Sequence, residues 1–285
     1  MKIPLETRSL IPSALAILVM CQPASGQANL TITNELKIEM TPGAPNVTKL
    51  LSDGCFYSIK PRPLGDAPIL SLHTYTSLST VFFWEAGRTA LRAGLFSGPR
   101  LQPWNMGAAS TAFGLETEAY GLAIAGGAYS KAYGHGSVAF GQLATTATNA
   151  GWSLAVGDGA MAHSYASVAL GAGVNATGVA SVALNYATLG AGDFSLAAGF
   201  ATQAQAYSSV AIGRYNVGVF TGPNGGTTWN DVDPLFEIGI GTPPGAATNW
   251  QPIPRNAMTV YKDGKIIIPK RQGDILMGEF GNPGN

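Results

Sequence analysis

Charge is what this chain has least of. Only 11% of its 285 residues are Asp, Glu, Lys or Arg, and the two signs cancel to a formal net charge of zero. An ordinary soluble domain carries about 25%. Between residues 121 and 213 the formal charges are Lys131, Asp158 and Asp193 alone. Such a surface cannot grip a phosphate backbone electrostatically, so nucleic acid is not an expected partner. Cysteine is scarce too, with Cys21 and Cys55 the only two. If the first 28 residues are removed on export, Cys55 remains alone and no intrachain disulfide can form. Beside Phe56 and Tyr57 it reads as a small buried hydrophobe.

Catalytic and metal-binding patterns are missing as well. His73, His135 and His163 stand at no metal-ligand spacing from another His, Cys or Asp. Glu116 and Glu118 could share a strand face, as paired carboxylates do in glycoside hydrolysis, but they read first as two solvated charges. Asp231 and Asp233 sit in a polar turn before Pro234, where aspartate bonds its own backbone. Gly239-Ile240-Gly241 lacks the strand–helix setting of a phosphate loop. The expectation is a protein that is not an enzyme and needs no cofactor or metal.

Long apolar runs are limited to one. Leu10 to Met20 follows Lys2 and Arg8 and precedes the small residues Gly26-Gln27-Ala28. It is shorter than the ~20 residues that cross a bilayer, and residues 1–28 read as a secretory signal peptide. The chain is therefore expected to be exported, to the cell surface or the medium, with no transmembrane anchor of its own.

A pentapeptide returns every fourteen residues. Ser153-Leu154-Ala155-Val156-Gly157 recurs as Ser167-Val168-Ala169-Leu170-Gly171, Ser181-Val182-Ala183-Leu184-Asn185, Ser195-Leu196-Ala197-Ala198-Gly199 and Ser209-Val210-Ala211-Ile212-Gly213. Looser copies begin at Ser110 and Ser137. So short a fixed period leaves no room for a helix; it predicts two short strands and two tight turns per coil of a solenoid. Between pentapeptides runs a second alternation, such as Ala160-x-Ala162-x-Ser164 and Thr202-x-Ala204-x-Ala206.

These repeats resemble the head domain of YadA-like trimeric autotransporter adhesins, whose units read S-V-A-I-G with A-x-A-x-G between. The resemblance covers residues 107–218. It implies an all-β fold, a left-handed parallel β-roll of about 14-residue coils, a homotrimer, and a place on or outside a bacterial cell. Trp84–Gly94 before the roll, and Asp233–Gly239 with Arg255–Val260 after it, are also similar to segments of bacterial surface proteins with such heads. The stalk and closing strands of that family have no counterpart here, so its route across the outer membrane is not carried over.

Around the roll, residues 29–106 carry strand signals at Leu30–Thr33, Phe56–Ile59 and Thr80–Trp84 and read as a small β cap. Residues 219–254 read as a Gly- and Pro-rich connection. Met258–Tyr261 and Lys265–Ile268 flank Asp263-Gly264, a hairpin signal. Within the coils the small residues share one parity. If they point inward, Val168, Leu170, Val182, Leu184, Val210 and Ile212 form an outward apolar stripe fit for a three-fold interface. The opposite parity buries them and permits a monomer. On the second strand the positions between small residues vary from copy to copy and read as the outer face. His163, Tyr165, Gln203, Gln205 and Tyr207 there are the candidate contacts for a matrix protein, a glycan or a neighbouring cell. The competing expectation is a trimeric spacer or fibre module with no ligand of its own; a fibre-borne polysaccharide hydrolase is a distant third.

Overall fold

A computed structural model describes residues 35–39, 47–51, 56–61, 79–97, 100, 105–218, 226–245 and 251–269. The expected signal peptide, the strand signal at Leu30–Thr33, Cys21 and Cys55 lie outside the described residues. Within them the protein is all-β, with one 3-10 turn at Ala86–Arg88 and no α-helix.

Five strands come first: β1 (Glu35–Glu39), β2 (Val47–Leu51), β3 (Phe56–Pro61), β4 (Ser79–Glu85) and β5 (Ala90–Phe96). They pair antiparallel in chain order. Long and short strands then alternate: β6 (Thr111–Leu115), β7 (Glu118–Ala119), β8 (Ile124–Ala128), β9 (Lys131–Ala132), β10 (Val138–Gln142), β11 (Thr145–Thr146) and β12 (Leu154–Val156). The alternation continues through β13 (Met161–Ala162), β14 (Val168–Ala172), β15 (Asn175–Ala176), β16 (Val182–Tyr186), β17 (Leu189–Gly190), β18 (Leu196–Phe200), β19 (Gln203–Ala204) and β20 (Val210–Arg214). The long strands stack in parallel as one wall of a roll and the seven short ones as the other. The expected parallel solenoid is therefore the fold.

Register follows the pentapeptide, with Val168 beside Val182, Ala169 beside Ala183 and Leu170 beside Leu184. Two steps depart from fourteen. Thr111 pairs Ile124, one residue short, and Val138 pairs Leu154, two residues long. The extra pair sits in the turn after β11, where the Ala150 amide donates to the Ala147 carbonyl at 2.9 Å. Turns absorb the change; the ladders do not.

The stretch read as a loop-rich connection holds another strand. β21 (Pro234–Ile240) adds in parallel to β20 and is followed by β22 (Asn256–Tyr261) and β23 (Ile266–Ile267), paired antiparallel. The β22–β23 hairpin closes at Asp263-Gly264 as the turn chemistry predicts, with φ +88° at Gly264 and its amide on the Tyr261 carbonyl at 3.0 Å.

The core is made of the smallest side chains. Ala112, Ala125, Ala139, Ala155, Ala169, Ala183, Ala197 and Ala211 form one fully buried column. Ala119, Ala132, Thr146, Ala162, Ala176 and Ala204 face it from the short sheet. Nothing larger than threonine stands in these two columns. In three coils the serine before the long strand closes the turn with its hydroxyl: those of Ser153, Ser167 and Ser209 donate to the carbonyls of Ala150, Ser164 and Ala206, each at 2.7 Å, whereas the Ser181 and Ser195 hydroxyls are buried without a partner.

The alanine column ends on a charge at both ends. Register places Arg92 of β5 beside Ala112, and Glu237 of β21 beside Ala211. Arg92 is buried and donates to the Ser110 hydroxyl and the Ala119 carbonyl, both at 3.1 Å. Burial pulls its guanidinium down to a pKa of about 10. Glu237 accepts from the side-chain amides of Asn216 and Asn256. The roll is stoppered by a donor at one end and an acceptor at the other.

Candidate functional site

Burial decides the parity left open by the repeat. Ser167, Ala169, Ser181, Ala183, Ser209 and Ala211 are inside, and Val168, Leu170, Val182, Leu184, Val210 and Ile212 are on the outer face of the long sheet. The outward residues form two columns. Leu196 and Ala198 carry them from Val182 and Leu184 to Val210 and Ile212. The columns run on through Val138, Phe140, Leu154 and Val156. The structure thus assembles all six stripe residues into one half-exposed apolar band, with Ile212 at 36% exposure.

The five candidate contact residues do not form one cluster. β13 is only two residues long, so His163 and Tyr165 lie beyond it in the turn that leads to β14. Gln203, Gln205 and Tyr207 lie three coils further along, roughly 14 Å at ~4.8 Å per coil. Tyr165 is exposed and His163 half-buried. Gln203 is exposed, and its side-chain oxygen accepts from the Gln205 amide. Tyr207 is half-buried: its ring meets Phe194 edge-on at 5.4 Å, and the Lys262 ammonium lies 5.8 Å from its centroid.

Lys262 itself is held over Trp229 at 4.8 Å and has no hydrogen-bond partner at its ammonium. Desolvation lowers its pKa, opposed by Asp233 and Asp231. The C-terminal hairpin is clamped to the last coil through these two rings, so Tyr207 serves that joint.

Glu116 and Glu118 are not two solvated charges. Arg100 pairs with both, the contact to Glu118 being 3.0 Å. Glu116 also accepts from the Ser97 amide and hydroxyl, and the Tyr133 hydroxyl donates to Glu118 at 2.7 Å. Burial and that bond raise the Tyr133 pKa. The nearby cavity of about 210 Å³ is lined by Arg92, Arg100, Asn105, Thr117, Glu118 and Tyr120. With both carboxylates bound by the same guanidinium, neither is placed as a free acid or base. A second cavity, of about 250 Å³, lies against Glu237, Asn256, Thr259 and Tyr261. Burial raises the Glu237 pKa, and the two asparagine amides oppose that shift.

Sequence reasoning missed the edge of the roll where each turn enters a long strand. Leu122, Trp152 and Phe194 stand there exposed, beside Tyr165 and Val179. The signal was present as one large residue in the pair that enters the long strand in seven successive coils: Gly121-Leu122, His135-Gly136, Gly151-Trp152, Tyr165-Ala166, Val179-Ala180, Asp193-Phe194 and Tyr207-Ser208.

Among the described residues no group of three His, Cys, Asp or Glu side chains could hold a metal ion, and no helix is long and apolar enough to cross a membrane. No protein-family model, no curated protein and no solved structure matches the chain. The class it belongs to rests on its own geometry, a parallel β-solenoid of about seven coils.

Proposed function

We propose that this is a non-enzymatic, exported surface or extracellular protein of adhesin type, whose β-roll assembles as a homotrimer and presents an outer face to a matrix protein, a glycan or a neighbouring cell. The observation that carries it is the apolar band on the long sheet. An alanine column contributes only ~0.8 kcal/mol per buried methyl-sized group, while the larger apolar residues of the long strands from β10 to β20 stand on the outer face of the sheet. A band that crosses successive coils is rarely left to water, and three-fold symmetry buries one such band per chain around the axis. The likeness of the pentapeptide to YadA-like heads supports the same reading and adds a left-handed coil.

Light scattering of the mature protein tests it. The trimer reading expects three times the chain mass at micromolar concentration, and Val182→Asp expects a monomer with a folded circular-dichroism spectrum. A wild-type monomer overturns it. The competing reading, a trimeric spacer without a ligand, is favoured by the continuous parallel ladder of the coils; it shares the mass and differs in binding nothing.

A further inference from the structure

The turn edge carries one large side chain per coil in an unbroken ridge: Leu122, His135, Trp152, Tyr165, Val179 and Phe194. It spans five steps, roughly 24 Å at ~4.8 Å each. From Leu122 to Tyr165 the large residue alternates between the two turn positions, and the glycine left on the neighbouring coil makes room for it; Val179 then repeats the position of Tyr165. A Cβ on Gly136 would strike the Trp152 ring at 2.7 Å, and one on Gly151 would meet the Tyr165 ring at 3.6 Å. His135 meets Trp152 edge-on at 5.6 Å. Trp152 and Tyr165 lean on the preceding coil and Phe194 on Tyr207 of the following one, yet the rings stay open to solvent, with Trp152 59%, Tyr165 54% and Phe194 55% exposed.

Two of these aromatics sit in strained backbone. Trp152 has φ +57° and Phe194 φ +59°, a left-handed conformation that costs a non-glycine residue ~1–2 kcal/mol. The conformation itself is required, because it aims the Trp152 and Phe194 amides at the carbonyls of His135 and Val179, at 2.9 and 2.8 Å. The aromatic side chain is not. Glycine at Gly136 and alanine at Ala180 hold the same turn position in other coils. A bulky ring there adds strain while burying little of itself; Phe194 has the Tyr207 ring as a partner at the hairpin joint, whereas Trp152 leans on His135, itself exposed, so packing within the chain accounts for Trp152 least. Strain of this kind concentrates where a ligand is met.

We infer that this ridge binds a neutral, linear polysaccharide, with Trp152, Tyr165 and Phe194 stacking on successive sugar rings. The chemistry is set by charge and shape. The single formal charge along the ridge, Asp193, is engaged by the Val179 amide at 2.8 Å. A polyanion or a charged protein face would find no partner. Rings at His135, Trp152 and Tyr165 in three successive coils, with Phe194 two coils further on, suit a ligand that is itself a row of rings with apolar faces, and the adjoining turn exposes Thr148 and Asn149 as neutral hydrogen-bonding groups. The inference rests on the binding-face reading above but not on the trimer.

The test is equilibrium binding of the full chain to cellulose, chitin and mannan particles, with immobilised heparin as the polyanion. Binding to at least one neutral polymer is expected, unchanged between about 0.1 and about 1 M salt, with none to heparin. Trp152→Gly, Tyr165→Ala and Phe194→Gly should each weaken it about three- to tenfold. The glycine variants should be no less stable than the wild type, because they release strain; a residue with a merely structural role would lose stability instead. Failure to bind all three neutral polymers overturns the inference, as does undiminished binding by the triple variant. A triple variant of altered mass in light scattering also overturns it, since the ridge would then be an interface between copies. In the first two outcomes the trimer mass stands or falls separately.

Discussion

One turn column offers a test in which the usual sign of a substitution reverses. Gly159, Gly173, Ala187 and Ala201 occupy the same place in four successive coils, with φ +61°, +61°, +52° and +51°. The shared conformation lets each amide reach the coil before it, as the Ala187 amide reaches the Ala172 carbonyl at 2.9 Å. Left-handed backbone costs alanine ~1–2 kcal/mol relative to glycine, and glycine's looser unfolded chain returns ~0.4–1 kcal/mol of that. The side chain at Ala187 is exposed, and a Cβ on Gly173 would meet nothing within 4 Å, so packing adds little to either exchange. Ala187→Gly should therefore stabilise the protein by about 0.5–1 kcal/mol, and Gly173→Ala should destabilise it by the same amount. Gly171→Ala makes the contrast, because its Cβ would collide with the Asn185 carbonyl of the next coil, which is backbone and cannot yield; about 3 kcal/mol or more is expected. Guanidinium unfolding followed by far-UV circular dichroism measures all three, at one protein concentration because association adds to apparent stability. The reasoning is refuted if Ala187→Gly lowers the midpoint, as it would in a strand or helix.

Three further outcomes are expected. Ser167→Ala should cost about 1–2 kcal/mol by removing the hydroxyl that accepts from the Ser164 amide and donates, beside the Ser167 amide, to the Ser164 carbonyl, whereas Ser181→Ala should be close to neutral, because the Ser181 hydroxyl is buried with no partner; the two denaturation midpoints decide. Desolvation raises the folded-state pKa of Glu237, so the folded state holds its proton longer than the unfolded chain does. Stability should then fall as pH rises from the ordinary carboxyl range through the folded pKa, and Glu237→Gln should flatten that slope in urea melts taken at a series of pH values. Arg92→Met should cost about 1.5–3 kcal/mol, because it strips a buried charged donor from the Ser110 hydroxyl and from the Ser110 and Ala119 carbonyls, which keep the amides of Leu91 and Gly107; Arg100→Met, at a half-buried site, should cost less, and a melt in which the two lose equal stability would count against the stopper.

Much of the architecture was legible because a solenoid repeats its physics. A fourteen-residue period can be satisfied only by two short strands and two turns, so all-β class, parallel stacking and register follow from the spacing of Ser, Ala and Gly. The Asp263-Gly264 hairpin was legible for a local reason, the left-handed turn that Gly264 adopts. β21 was hidden inside a Gly- and Pro-rich stretch, although Phe236-Glu237-Ile238-Gly239 keeps the pentapeptide's spacing of large residues and closing glycine. Arg92 stands likewise inside Leu91-Arg92-Ala93-Gly94. In both, a charge occupies the place of the core alanine, and a charge at a core position argues against a core until the end of the stack is seen.

Tertiary structure alone decided which parity faces inward. Alternation along a strand shows that two faces differ, and says nothing of the distance between the walls. Here that distance admits alanine and serine but not leucine, so the larger residues are turned out and the band of Val168 to Ile212 exists. It decided equally that His163 and Tyr165 lie in a turn rather than on a strand face, and that a row of turns becomes a ridge. The order of residues in one chain determines what each coil contains; neighbours one coil apart, brought to ~4.8 Å by the ladder, determine what surface those coils make together.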